Sequence, residues 1–268
     1  VIARHGLDAR KSFGQHFLLD PNVTRRIARA AGDLDGATVL EVGPGPGGLT
    51  RALLETPARA VVAVERDPRF VEALADLSRI CGDRFRLVQA DALGFDAVAE
   101  LPAPRAVVAN LPYNVGTPLL LGWLARIGEF RSLTLMFQKE VADRIAAKPG
   151  AAAYGRLSVI SRWAADVRPV FNLPARAFTP PPKVASAVVR LTPRAEREPA
   201  EWADMERATA AAFGQRRKML RQSLKSLGPA PEELIAAAGL DPTMRAEEVD
   251  VAGFAALARA LRARSAGP

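Results

Sequence analysis

The segment Val39-Leu40-Glu41-Val42-Gly43-Pro44-Gly45-Pro46-Gly47-Gly48-Leu49-Thr50 constrains this chain more than any other. A short apolar run holding one carboxylate gives way to alternating glycine and proline, then to the helix-prone stretch Leu49–Leu54. That order predicts a first parallel strand, a tight turn and a helix, the opening unit of an open α/β sheet. Gly43, Gly45 and Gly47 let the backbone approach a ligand where a side chain would intervene. The helix start beyond them offers unpaired N–H groups. The spacing departs from two phosphate cradles, having neither the G-x-G-x-x-G of a dinucleotide loop nor the Gly-Lys-Ser/Thr ending of a P-loop. A Gly/Pro turn with no ligand is the plain alternative.

Further strands follow at α/β spacing. Ala60–Val64 reads as a buried second strand ending in Glu65, where a nucleotide-binding sheet places the acid that accepts from ribose hydroxyls. Phe85–Gln89 is a third strand, followed by Asp91, which suits either an exocyclic amine or a helix cap. Arg105–Ala109 is a fourth and runs into Asn110-Leu111-Pro112-Tyr113-Asn114. Leu133–Gln138 is a fifth; Val167–Phe171 and Ser186–Leu191 are strand-like. Helices are expected from Pro21 to Ala31 with Asp20 as cap, after Pro68, and over 119–127, 139–147 and 157–163.

The Asn110–Tyr113 tetrad has a chemical rationale if the nucleophile is an exocyclic amine. An adenine N6 is a poor nucleophile because its lone pair is delocalised into the ring. The Asn110 side-chain oxygen and a backbone carbonyl beside Pro112 can accept its two hydrogens and turn the lone pair outward. Pro112 fixes the turn, and Tyr113 offers a face for a base. The loop Ala177–Val184 holds Phe178 on a stiff polyproline frame, to stack on a base opposite Tyr113 or to plug the core. Gln15 and His16, set among Phe13, Phe17 and Leu18 in a basic arm, lie over a pocket or merely cover the domain edge. The loop 148–156 carries Tyr154, whose ring is a further candidate for nucleotide contact.

Charge bears on the partner. A formal net charge of +8 favours a polyanion. After the charged linker 192–200 the chain reads as helical, with segments Trp202–Gly214, 215–225, 231–238 and 251–264, and a frayed tail from Ser265. Between Arg207 and Lys225 stand six Arg/Lys and no acid. On one continuous helix Arg217, Arg221 and Lys225 form a single stripe suited to RNA phosphates; a solvated basic face is the alternative. One cysteine, Cys81, excludes an intramolecular disulfide, and two histidines, His5 and His16, argue against zinc, so no metal is expected. No apolar run has transmembrane length and no signal-peptide core is evident, so a soluble, cytoplasmic monomer is expected. The length accommodates an arm (1–20), a large domain (21–192) and a small helical domain (193–268).

The glycine loop is similar to that of S-adenosylmethionine-dependent methyltransferases. Taken together, Gln15-His16-Phe17-Leu18, the loop 41–50, Asn110–Asn114, Phe178–Ser186 and Gly214–Lys218 closely resemble the small-subunit ribosomal RNA adenine dimethyltransferase family. The resemblance implies a Rossmann-like class I methyltransferase sheet with helices on both faces, plus a small all-helical C-terminal domain. It implies S-adenosylmethionine as cofactor and dimethylation of N6 on two adjacent adenosines in the hairpin loop near the 3′ end of small-subunit rRNA, within an assembling subunit. Carried over, Gln15, His16 and Leu18 border the cofactor, Gly43 and Gly45 pass beneath its methionine part, Glu65 holds its ribose and Asp91 its adenine amine. Asn110 lines cofactor and target. With Leu111, Pro112, Tyr113 and Phe178 it forms the catalytic set, in which Tyr113 and Phe178 sandwich the flipped base. His16 stands where many relatives have Asn. The candidate RNA-contacting cations are Arg10, Lys11, Arg156, Lys183, Arg216, Arg217, Lys218, Arg221 and Lys225. Large-subunit rRNA dimethylation, methylation of a protein glutamine amide, and a non-catalytic assembly factor are the alternatives; the full-length match and the basic C-terminal segment favour the first family.

Overall fold

The structure, a computed structural model, describes residues 16–266. Arg10, Lys11 and Gln15 lie outside the described residues. The described residues divide into two compact units, one of residues 16–142 with 168–193 and one of residues 143–167 with 194–266. The chain crosses between the units at 142/143, 167/168 and 193/194, the last of these beside the expected break at 192/193. Residues 143–167, assigned from the sequence to the sheet domain, group with the C-terminal helices: the buried Tyr154 ring meets Phe213 and the buried Trp163 ring meets Trp202. Linear spacing carries no sign of such a return.

The first unit is built on β1 (Phe17–Leu18), β2 (Thr38–Val42), β3 (Ala60–Glu65), β4 (Phe85–Gln89), β5 (Arg105–Asn110), β6 (Ser132–Gln138), β7 (Ala165–Leu173), β8 (Phe178–Thr179) and β9 (Ser186–Pro193), with β7 beginning in the other unit. Seven strands form one sheet in the order β4-β3-β2-β5-β6-β9-β7. The pairs β2–β3, β3–β4, β2–β5 and β5–β6 are parallel, and β9 returns antiparallel to β6. Continuous apolar runs such as Val61–Val64 and Ala106–Ala109 are fully buried, as strands covered on both faces must be. Two of the helices start where an Asp precedes a Pro. The Asp20 carboxylate accepts from Asn22 N–H (2.8 Å) before the helix Pro21–Ala30, and Asp67 accepts from Arg69 N–H (3.1 Å) before Pro68–Cys81.

Two features of this sheet create the site. The strand order reverses between β2 and β5, the position at which open α/β sheets bind ligands. The β2–β5 pairing stops at Leu40↔Val107, whereas β2–β3 continues to Val42↔Val64 and β5–β6 to Asn110↔Met136. Glu41 and Val42 thus part from Val108–Asn110, and a crevice opens at the carboxyl ends of the two central strands.

The described end of the arm is no loose cover. Phe17 and Leu18 are 8% and 6% exposed, and β1 pairs antiparallel with β8, Leu18 opposite Phe178. Gly48, at the start of the helix Gly48–Leu54, allows this: a Cβ there would sit 2.6 Å from the Leu18 carbonyl oxygen. The loop read as polyproline from Ala177 to Val184 is in part this strand.

In the second unit the basic helix expected over 215–225 does not form. The helix Trp202–Gly214 ends, residues 215–218 turn, and Met219 is extended (φ −64°, ψ 154°), bridging antiparallel to Arg245. A four-residue helix, Leu220–Ser223, and a 3-10 turn, Leu224–Leu227, follow. Burying Leu220 and Leu224 completely outweighs the helical propensity of the basic run, which separates Arg217, Arg221 and Lys225 onto different elements. The last helix runs Val251–Ala266, so Ser265 and Ala266 are helical rather than frayed; residues 267–268 lie outside the described residues. Among the described residues no helix is long and apolar enough to cross a membrane.

Candidate active site

The crevice between β2 and β5 is a cavity lined by the arm's end, the glycine loop, the ends of β2 and β3, Ala90–Ala92, and the turn Asn110–Val115. His16, Leu18, Gly43, Gly45, Glu65, Asp91, Asn110, Leu111, Pro112 and Tyr113 all line it. Residues up to 97 positions apart are brought together by one topological reversal.

The glycine loop follows β2 with Gly43 and Gly45 at φ +68° and +51°, conformations that favour glycine. A Cβ at Gly45 would lie 3.4 Å from the Phe17 ring, so the loop passes directly beneath the arm at this point. Glu65, at the end of β3, ties this loop down. Its carboxylate accepts from Gly45 N–H (3.3 Å), Arg66 N–H (2.8 Å) and Asp67 N–H (2.8 Å). Burial pushes its pKa up, and these three backbone donors oppose that shift.

Glu41 was given no role by the sequence reading. It is 1% exposed and lines the cavity, and its Oε2 has no hydrogen-bond partner. A buried carboxyl group with one oxygen left unpartnered, beside a second acid, suits a cationic ligand, on whose arrival it would ionise. S-adenosylmethionine, with sulfonium and ammonium charges, fits that requirement, the Glu65 carboxylate and the glycine cradle. Burial pushes the Glu41 pKa up to about 8; neighbouring Thr50 and Arg51 pull it down and Glu65 adds to the rise. The folded protein therefore keeps a proton that the unfolded chain loses near pH 4.5. From there to about pH 8 the ligand-free protein loses stability as pH rises, by about 1.4 kcal/mol per pH unit, and the loss levels off above it. Urea unfolding at roughly pH 5.5 and pH 7.5 should show wild type losing stability relative to Glu41→Gln. Parallel behaviour of the two proteins would refute the protonated Glu41.

Asn110 closes β5. Its Nδ2 donates to the His16 main-chain carbonyl at 3.3 Å. A carbonyl only accepts, so the amide's orientation is fixed and Oδ1 is the end left to receive a donor. In the turn that follows, the Pro112 carbonyl accepts from Val115 N–H (3.2 Å) and Gly116 N–H (3.1 Å). The backbone acceptor beside Pro112 is therefore the Leu111 carbonyl. The Tyr113 hydroxyl shares a hydrogen bond of 3.0 Å with Ser186 Oγ.

His16 lines the cavity, with its ring held from two sides. Its Nδ1–H donates to the Pro180 carbonyl (2.8 Å), and its ring lies against Tyr113 with centroids 5.7 Å apart. The donor that would have faced a cofactor is thus engaged by the loop after β8. Asp91 acts as a cap, its Oδ1 accepting from Leu93 N–H (3.0 Å); its Oδ2 lies 3.7 Å from the Arg66 guanidinium, and the residue lines the cavity.

Phe178 and Tyr154 are corrections. Phe178 is 3% exposed within the core that includes Leu18, Met136, Leu173 and Val188, and it does not line the cavity. Of the two positions considered for this ring, the structure places it in the core. Tyr154 is fully buried, donates its hydroxyl to the Val249 carbonyl (2.9 Å) and meets Phe213 edge-on, so it is a core residue of the second unit.

Of the basic residues, Arg156 pairs with Glu206 (3.1 Å), and Arg216 with Glu247 (3.1 Å) and the Ala152 carbonyl (2.8 Å). Lys183, Arg217, Lys218, Arg221 and Lys225 are exposed and make no ion pair among the described residues. No cluster of metal-ligating side chains occurs among the described residues.

A mixed, largely parallel sheet with a glycine loop after β2, an acid ending β3 and an Asn-Leu-Pro-Tyr turn at the end of β5 defines an S-adenosylmethionine-dependent methyltransferase. Residues 6–262 match the family described as ribosomal RNA adenine dimethylase, and the chain belongs to that family. It is 61% identical over 264 residues to ribosomal RNA small subunit methyltransferase A of Rhodospirillum rubrum, covering 98% of this chain and 91% of that one. It is 62% identical over 270 residues to the protein of the same description from Phenylobacterium zucineum, covering 100% and 93%. Among solved structures, a dimethyladenosine transferase from Plasmodium falciparum shares the fold with a TM-score of 0.76 at 24% identity, covering 90% of this chain and 96% of that one. The 23S rRNA methyltransferase ErmE is similar with a TM-score of 0.68 at 29% identity, covering 92% and 99%.

Proposed function

We propose that this protein methylates N6 of two adjacent adenosines in the 3′-terminal hairpin loop of small-subunit rRNA, giving N6,N6-dimethyladenosine on an assembling small subunit. The observation that carries the reading is Asn110, whose amide is anchored through Nδ2 so that Oδ1 is left to accept at the mouth of the cavity. S-adenosylmethionine bound there supplies an already activated methyl group. The chain's own residues then have two tasks, to hold and to aim. Gly43, Gly45 and Leu18 shape the cofactor's bed, Glu65 accepts from its ribose, Asp91 borders its base, and Glu41, protonated in the free protein, becomes a counter-charge by releasing its proton when the cationic cofactor binds. Asn110 Oδ1 and the Leu111 carbonyl accept the two hydrogens of the target amine, which localises its lone pair toward the methyl. Tyr113 provides one stacking face, and Phe178 stays in the core. Base flipping from a loop is cheap because its bases are partly unpaired. Lys183, Arg217, Lys218, Arg221 and Lys225 are the cations available to phosphates. On this reading the protein acts as a cytoplasmic monomer.

Purified protein given S-adenosylmethionine and unmodified precursor small subunits, with naked rRNA and large subunits in parallel, should yield dimethyladenosine only in the small-subunit sample by nucleoside mass spectrometry. Methylation confined to the large subunit would move the assignment to the alternative that the ErmE likeness represents.

A further inference from the structure

The Tyr113 ring is held at two places by residues far from it in sequence. His16 lies against it, and Ser186 meets its hydroxyl at 3.0 Å. Ser186 is 0% exposed, and its Oγ makes no other hydrogen bond among the described residues. Its backbone is fixed independently of the cavity. Ser186 is the first residue of β9, in register with Gln138 of β6, and the adjoining Ala185 carbonyl accepts from Lys139 N–H at 2.8 Å. The antiparallel return strand thus carries a rigid anchor to the far end of the stacking residue. A phenol ring attached only at Cβ pivots broadly about its last torsion. One bonded at its hydroxyl as well presents a fixed plane.

We infer that Ser186 is a positioning residue for methyl transfer, setting through the Tyr113 hydroxyl the plane on which the target base stacks. This rests on the function proposed above. Ser186 does not line the cavity, so its effect falls on the alignment of the base and not on cofactor binding. A small error in that alignment is costly, because in-line transfer depends on the angle between amine and methyl.

The test is a cycle of Ser186→Ala, Tyr113→Phe and the double variant, with Ser186→Thr as the conservative replacement. Each is assayed for kcat and KM on precursor small subunits and for cofactor Kd by calorimetry. The expected result is a roughly tenfold loss of kcat in Ser186→Ala and in Tyr113→Phe, no further loss in the double variant, and recovery in Ser186→Thr. KM and cofactor Kd should stay within about twofold of wild type. Multiplicative losses in the double variant would overturn the inference, as would a fall in cofactor affinity that tracks kcat. Tyr113→Phe carries the test if Ser186→Ala does not fold: unchanged kcat there overturns it directly. An inactive wild type would instead strike at the proposed function, so the two failures are distinguishable.

Discussion

Replacing Asn110 with Ala should lower kcat for adenosine methylation by about 10²–10³-fold while cofactor Kd changes by less than about threefold. The reasoning starts from Nδ2, which is held by the His16 carbonyl at 3.3 Å and thereby commits Oδ1 to the acceptor role. Alanine removes that acceptor, leaves the Leu111 carbonyl alone to polarise the amine, and spares Glu41, Glu65 and the glycine loop. Asn110→Asp is the sharper variant. It keeps an oxygen toward the cavity but sets a carboxylate against the His16 carbonyl, two acceptors with no proton between them, so activity should not recover. Single-turnover methylation beside calorimetric titration of the cofactor separates the outcomes. An Asn110→Ala protein with wild-type kcat would dismantle the proposed mechanism.

The second large effect belongs to Glu65. Glu65→Ala should weaken S-adenosylmethionine at least about 100-fold, equivalent to about 2.7 kcal/mol. Part of that loss is the missing acceptor for the ribose. The rest comes from the free protein, in which the N–H groups of Gly45, Arg66 and Asp67 lose a common acceptor at the end of β3. A backbone donor stripped of its partner in a buried place costs about 1–3 kcal/mol, less where water enters the vacated space. The glycine loop should loosen, so thermal stability falls as well. Glu65→Gln serves as control: its one amide oxygen cannot serve all three donors, and its NH2 group would face at least one N–H. Calorimetry on the three proteins decides the matter, and a Glu65→Ala Kd within about threefold of wild type would remove Glu65 from the cofactor site.

Glu65 also shows what spacing alone conveys. An acid at the end of a second strand is legible, because the apolar run before it and the glycine loop twenty residues earlier set its place in an α/β unit. Its grip on the Gly45 N–H is not, since that contact depends on β2 and β3 lying side by side. Asn110–Tyr113 was legible for the same reason: the tetrad is contiguous, and its position after a buried strand puts it at a carboxyl edge. Glu41 stood in plain view, yet nothing in a one-dimensional pattern says that one carboxylate oxygen of a strand residue ends up buried without a partner.

The failures share a cause. Phe178 reads equally well as a stacking ring or a plug, and the β1–β8 pairing, which sets Leu18 opposite it and draws it into the core, settles the choice. The basic run 215–225 has the composition of a helix, but the buried Leu220 and Leu224 and the Met219–Arg245 bridge redirect it. Tyr154, in a Gly/Pro-flanked loop, is drawn inward by the Val249 carbonyl, 95 positions away.

By itself the sequence determined the α/β class, the strand order along the chain, the glycine loop and the chemistry of the Asn-Leu-Pro-Tyr turn, because each depends on residues close together in the chain. The tertiary structure decided where β2 and β5 part, which aromatic faces the cavity, which cations are already paired and how Ser186 reaches Tyr113. Those outcomes depend on burial and on hydrogen-bond partners separated by tens of residues, and such pairings leave no local trace in the pattern that encodes them.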